Sequence, residues 1–96
     1  MADYRLSVEA RRDLMDIADY TMDVFGAQLA YDYQNAFIEA FHLLGQYPAM
    51  GRTCEDIRQS VRCFREGSHM IYYRQAGDII YILRILHYSQ DPLRHL

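Results

Sequence analysis

The chain holds no lysine; all ten of its basic residues are arginine. Its cations are therefore planar guanidinium groups, suited to bidentate contact with carboxylates or phosphates. No apolar run approaches the ~20 residues of a membrane span. The opening Met1-Ala2-Asp3-Tyr4-Arg5 has no basic stretch leading into an apolar one, so neither a membrane association nor a secretion signal is expected. Cysteine is scarce. Cys54 and Cys63 fit no metal-type spacing, and without an export signal they are expected as free thiols in a reducing cytoplasm. No four Cys or His ligands converge, so no metal and no cofactor is expected.

What is present fits one domain, residues 1–96, with a modest core: 96 residues, 51% of them hydrophobic. The charge is divided unevenly. Residues 1–50 carry eight acids and three arginines, net −5, and residues 51–96 carry five acids and seven arginines, net +2, which sum to the overall −3. An acidic chain is poorly equipped for tight nucleic-acid binding by counterion release, although an arginine-rich surface in the second half remains available.

Hydrophobic periodicity gives the elements. Asp3 to Ser7 alternates, with Tyr4 and Leu6 on one side, as a short strand does. Ser7 is a helix N-cap with Glu9 in the first turn. Leu14, Ile17, Ala18, Thr21 and Phe25 then follow helical spacing, and Gly26 stops the helix. A second helix starts near Ala27, with Leu29, Tyr33, Ala36, Phe37, Ala40, Phe41 and Leu44 as its stripe, and Gly45 and Pro48 end it. A one-residue link folds the two back as an antiparallel hairpin. Pro48 to Ser60 reads as a loop. Strands follow at Val61–Arg65, His69–Arg74 and Ile79–His87, joined by short turns that make them antiparallel neighbours. The tail, Ser89 to Leu96, forms one helical turn from Asp91 or lies extended. The expected class is α+β: an N-terminal strand, a helix hairpin and a three-stranded meander forming one sheet, with the helices on one face.

The last strand is apolar on both sides, with Ile80, Ile82 and Leu86 on one face and Ile79, Tyr81, Leu83 and Ile85 on the other. The middle strand adds Met70 and Tyr72 to one face and Ile71 and Tyr73 to the other. An uncovered apolar face is therefore expected, open to a protein partner; the alternative is that the Pro48–Ser60 loop and the tail fold over it. Met70, Tyr72, Tyr73, Ile80 and Ile82 are the candidate partner-binding residues. The strand also carries Arg84 and ends in His87 and Tyr88. A histidine near Arg62, Arg65 and Tyr88 has the parts for metal-free RNA cleavage, by acid–base transfer, charge stabilisation and base stacking. Arg84 could instead pair with Asp91 or Glu66 and pin the C-terminus. His42 and His69 read as structural.

The stretches YRLSVEARRDLMDIADYTMDVFG, YPAMGRTCEDIRQSVRCFREGSHMIYYR and ILRILHYSQDP, in that order, resemble ParE toxins of the RelE/ParE superfamily from Tyr4 to about Leu96. The most distinctive part is Gly67-Ser68-His69-x-Ile71-x-Tyr73 followed by Arg84-Ile85-Leu86-His87. Phe25 stands where many relatives show tryptophan. The resemblance implies a toxin of a bacterial type II toxin–antitoxin module. Its implied target is DNA gyrase, through the A subunit, reached by protein–protein binding without catalysis. A ParD-like antitoxin, disordered in its C-terminal part until it wraps the toxin, would neutralise it and would make the only contact with DNA. The importance of the C-terminal segment in the family points to Arg84, His87, Asp91 and Arg94 for gyrase inhibition. A RelE-type ribosome-dependent mRNA endonuclease using His87, Arg62, Arg65 and Tyr88 is the alternative, weakened by the missing lysines. A non-toxic homologue that only binds antitoxin is a further one.

Overall fold

The computed structural model describes residues 3–96. β1 (Tyr4–Leu6) leads into α1 (Val8–Phe25) and α2 (Ala27–Gln46). A 3-10 turn (Pro48–Met50) precedes β2 (Arg52–Thr53), and β3 (Arg62–Glu66), β4 (His69–Ala76) and β5 (Ile79–His87) form the meander. A last 3-10 turn (Pro92–Arg94) closes the chain, with Asp91 accepting from the Leu93 N–H. The strand order is β1-β5-β4-β3-β2. β1 runs parallel to β5 and all other neighbours are antiparallel. The class and element order agree with the sequence reading. The extra strand is β2, two residues inside the expected loop, pairing Arg52 with Cys63 and Thr53 with Arg62; two residues are too few to carry a visible alternation.

The helices cover one face. Ala10, Leu14 and Ile17 of α1 meet Phe37, Ala40, Phe41 and Leu44 of α2 and Ile71, Tyr73, Ile80, Ile82 and Ile85 of the sheet. Each fully buried Phe, Leu or Ile here contributes about 1.5–3 kcal/mol. Gly26 joins the helices at φ 96°, a left-handed conformation that a Cβ would strain.

The faces of β5 differ from the expected alternation. Tyr72 pairs with Arg84 but Tyr73 pairs with Ile82, which leaves Leu83 as an extra residue in a bulge. The bulge puts Ile85 on the helix side with Ile80 and Ile82, and Leu86 on the far side. Tyr73, Ile80 and Ile82 are fully buried beneath the helices, so these three do not face a partner in this fold. Met70 and Tyr72 do lie on the far face, but that face is not bare. Cys54, Val61, Cys63, Tyr72 and Leu86 form a second buried cluster, with Ile57, Met70, Leu83 and Leu96 against it. The loop and the C-terminus fold over the face, the outcome the sequence reading had ranked second. Cys54 and Cys63, expected as free thiols, are joined in a disulfide within this cluster. The β2–β3 pairing sets Arg52 opposite Cys63 and leaves Cys54, just past β2, near enough to bridge, a proximity that sequence spacing does not reveal.

α1 is bolted to the edge of β5. Ser7 caps it as expected, its Oγ accepting from the Ala10 N–H at 2.9 Å while its hydroxyl donates to the Leu83 carbonyl at 2.7 Å. Asp13 accepts from Arg84 Nε at 2.8 Å and Nη2 at 3.0 Å, and from the Ile85 N–H at 2.9 Å. Arg84 thus pairs with Asp13, not with Asp91 or Glu66; the helix passes closer to it than any acid near it in sequence. Asp13→Ala should destabilise the fold by about 2–4 kcal/mol and Ser7→Ala by about 1–2 kcal/mol in urea unfolding. A loss below about 0.5 kcal/mol for Asp13→Ala would show that the edge is held by packing alone.

Candidate functional site

At the hairpin's far end the apolar stripe outlasts the core. Thr21 is buried, its hydroxyl donating to the Ile17 carbonyl at 2.6 Å. One turn later Phe25 is 62% exposed, and Leu29, which begins the stripe of α2, is 47% exposed. Phe25 is therefore not a packing residue, as its place in the stripe suggested. Between these residues and the β3–β4 turn lies an open groove of about 590 Å³. Phe25, Leu29, Tyr33 and Ala36 line the helix side; Gly67, Ser68, His69 and His87 line the sheet side. A shallower extension continues past Tyr20 to Asp16 and Ile17.

Strand register places the two histidines together. His69 pairs with His87 across β4 and β5, their rings edge to face at 5.5 Å. Both stand on the helix side, since Ile71 and Ile85, two residues away along each strand, belong to the helix-side core. Tyr33 anchors His69: its hydroxyl lies 2.7 Å from His69 Nδ1, donates to the Glu66 carbonyl at 3.0 Å and accepts from the Ser68 N–H at 3.1 Å. With the single phenolic proton on Glu66, His69 donates from Nδ1. His87 is polarised the other way, its Nδ1 accepting from the Ser89 N–H at 3.2 Å and contacting the Ser89 hydroxyl at 2.7 Å. Gly67 permits the close approach: at φ 58° a Cβ there would run into the Tyr33 ring. Burial pushes the Tyr33 hydroxyl above its ordinary value. Burial, and then the charge of His87, hold His69 below its ordinary value against a weaker pull from Asp13.

The residues singled out in sequence are distributed as follows. His87 lines the groove. Tyr88 stacks near it at 4.5 Å and carries the Arg65 guanidinium over its ring at 4.6 Å, but Arg65 pairs in register with Met70 and so belongs to the far face. Arg62 is at the other end of β3, donating to the Gly51 carbonyl at 2.7 Å. Three of the four nuclease candidates, His87, Tyr88 and Arg65, thus form a chain of contacts with the tyrosine in the middle, and Arg62 stands apart. Arg84 donates to the His95 carbonyl at 3.1 Å as well as to Asp13, and the His87 N–H donates to Gln90 Oε1 at 2.8 Å, so both residues tie the tail to β5. Asp91 caps the final turn and Arg94 is exposed on it. His42 contacts Asp3 at 3.2 Å and stands edge-on to Tyr4, a structural role as read. His69, also read as structural, forms part of the groove; its place at the start of β4, across the hairpin from His87 at the end of β5, is the signal that could have pointed to it. Among the described residues no group of three His, Cys, Asp or Glu could hold a metal ion.

Comparison with known proteins matches residues 4–92 to the family described as ParE toxin of type II toxin-antitoxin system, parDE. The chain is 35% identical to a Caulobacter vibrioides protein named Toxin ParE1 over 96 residues, covering 100% of this chain and 99% of that one. It is also 35% identical to a Mycobacterium tuberculosis Toxin ParE1 over 94 residues, covering 97% and 96%. In fold it is similar to a chain of a chromosomal ParDE toxin–antitoxin system from P. aeruginosa, with a TM-score of 0.75 and 23% identity over 88% of this chain and 92% of that chain. A chain of the M. tuberculosis RelBE2 toxin–antitoxin complex gives a TM-score of 0.62 and 24% identity over 88% and 94%.

Since the folded state favours neutral His69, its stabilising contribution is intact above the unfolded-state value of about 6.5 and is lost as pH falls below it. Unfolding free energies measured from pH 7.5 down to pH 5 should therefore decline, and less steeply for His69→Asn, whose amide can replace the Nδ1 donor. Parallel curves for the two proteins would remove His69 from the account.

Proposed function

The chain belongs to the ParE toxin family of type II toxin–antitoxin systems, and from that premise we propose that it inhibits DNA gyrase by protein–protein contact, without catalysing a reaction. The proposed setting is the cytoplasm, the proposed contact is the gyrase A subunit, and a ParD-like antitoxin neutralises the toxin and alone touches DNA.

One observation supports the non-catalytic reading: Tyr88 stands between His87 and Arg65, at 4.5 Å and 4.6 Å, and keeps the histidine and the guanidinium on opposite faces, while Arg62 stands apart from all three. His87 faces the helix side, Arg65 sits on the opposite face, and Arg62 is spent on a loop carbonyl at the far end of β3. Acid–base catalysis requires its groups within hydrogen-bond reach of one substrate position. What is organised instead is the tail. Arg84 and Gln90 fasten it to β5 at two points, Asp91 starts its turn, and Arg94 is presented on the surface. Under this reading Arg84 and His87 are positioning residues, and Asp91 and Arg94 shape and form the contact.

The test is gyrase supercoiling of relaxed plasmid titrated with purified protein, run beside a coupled translation assay. Lost supercoiling with linear DNA and intact translation is the expected result; arrested translation with gyrase untouched would replace this reading with the endonuclease. Arg84→Ala and His87→Ala should each weaken gyrase inhibition by at least about tenfold while antitoxin binding persists. Arg84→Ala also removes its bonds to Asp13, so inhibition is to be compared at a temperature where circular dichroism shows both variants folded. Wild-type inhibition by both would exclude a role for the tail anchor.

A further inference from the structure

We propose that Cys54 and Cys63 form a reversible thiol–disulfide site that exchanges with low-molecular-weight thiols such as glutathione, and that its state sets how firmly the C-terminal tail is held on the sheet. The exchange and its coupling to the tail stand on the structure; their effect on gyrase rests on the proposed function.

The bridge joins two parts that are anchored differently. Cys63 is fixed inside the sheet, on β3 between β2 and β4. Cys54 opens the loop that returns to β3 through Val61, and its N–H donates to the Val61 carbonyl at 2.8 Å. Within the loop the Ile57 and Arg58 N–H groups both turn back to the Cys54 carbonyl, at 3.0 and 3.1 Å. The disulfide and the apolar side chains of Ile57 and Val61 press this loop onto Tyr72 and Leu86. Ser60 is held there at φ 67°, in the left-handed region, the one non-glycine residue so placed among the described residues. That conformation is unfavourable for a residue with a Cβ, so the loop relaxes when it is freed. Leu96, the end of the tail, packs against the same apolar cluster. Loop and tail therefore share one floor. Freeing the loop loosens the seat of Leu96, while Arg84 and Gln90 still hold the tail at its other points.

Both redox states suit the site. The Cα atoms are 6.4 Å apart, within the span of a disulfide. As thiols the two side chains remain small apolar groups in the same cluster, and the Arg52 carbonyl lies 3.9 Å from Cys54 Sγ as an acceptor. In reduction a glutathione thiolate attacks one sulfur, the S–S bond breaks, and the other sulfur leaves as a thiolate and takes a proton. A second glutathione thiolate then attacks the glutathione sulfur of the mixed disulfide and releases the second cysteine, which is protonated in turn. Two glutathiones become one glutathione disulfide, and the protein gains two electrons and two protons; oxidation by glutathione disulfide is the reverse. Both cysteines are buried, so each exchange waits on an opening of the loop. A reduced thiol pool frees the loop and loosens the tail, and an oxidised pool locks both. Inhibition of gyrase through the tail is then strongest under oxidising conditions.

The experiment equilibrates the full chain in glutathione buffers of graded ratio and counts alkylated thiols by mass spectrometry. Hydrogen exchange of residues 89–96 is read on the oxidised and reduced forms, and gyrase inhibition is assayed with both, beside gyrase alone at each ratio. The two cysteines should titrate together in one two-electron transition. Tail amides should exchange about tenfold faster in the reduced form, and the reduced form should inhibit gyrase less. Cys54→Ala with Cys63→Ala should behave as the reduced protein at every ratio; where that variant fails to fold, the two forms of the wild type carry the test. A bridge, or a pair of thiols, that persists across all ratios overturns the redox site. Equal tail exchange in the two forms overturns the coupling. Faster tail exchange with gyrase inhibition unchanged or absent leaves this proposal standing and overturns the tail's role in the proposed function.

Discussion

The edge of β5 beyond β1 is the constraint on which the rest depends. β1 pairs with β5 only from Ile80 to Ile82, so the strand runs on past its neighbour with backbone groups that need partners. The bulge at Leu83 makes the need acute, because it displaces the strand where pairing stops. Side chains of α1 supply what a longer β1 would have supplied: Ser7 receives the edge at Leu83 and Asp13 at Ile85. Asp13 also holds Arg84, and Arg84 holds the tail. One carboxylate therefore fixes the helix to the sheet, neutralises the cation within the strand, and reaches the C-terminus at second hand. That is why a core strand carries an arginine.

Much of this was legible in sequence. Ser7 as cap, Gly26 as the joint, the stripe through Phe37, Phe41 and Leu44, and three strands broken at Gly67 and Gly77 all follow from local chemistry, and local chemistry decided them. The faces of β5 were not legible, since period-two alternation assumes an unbroken strand and a single extra residue exchanges the faces beyond it. Ile85 and Leu86 changed places for that reason, whereas Tyr73, Ile80 and Ile82 are buried because theirs is the face that the helices cover. The partner of Arg84 lies 71 residues away, a separation that no local rule bridges. Cys54 and Cys63 show the same limit: the argument from compartment addressed their chemistry, whereas strand register set their distance.

The groove arises where two regular patterns run out of phase. Thr21 ends the buried part of α1 and Ala30 begins that of α2, while the helical stripe continues through Phe25 and Leu29 into open space. A helix rises about 1.5 Å per residue, so the hairpin projects more than a full turn beyond its last core residue. Polar groups border the apolar surface left there: Asp32 on the helix side, and Ser68, His69 and His87 on the sheet side. Arginines, by contrast, are confined to the strands, the loop before β3, the tail and the first turns of the chain.

This partition separates two kinds of surface on one small protein. The helix hairpin carries most of the carboxylates and the exposed apolar side chains; the sheet, the loop before β3 and the tail carry most of the guanidinium groups. Surfaces of opposite sign do not recruit the same partner, because like charge brought together is repelled before contact forms. His87 stands at their junction, lining the groove with its side chain while its backbone N–H holds Gln90 of the tail. A ligand that fills the groove must rest on the residue from which the tail departs.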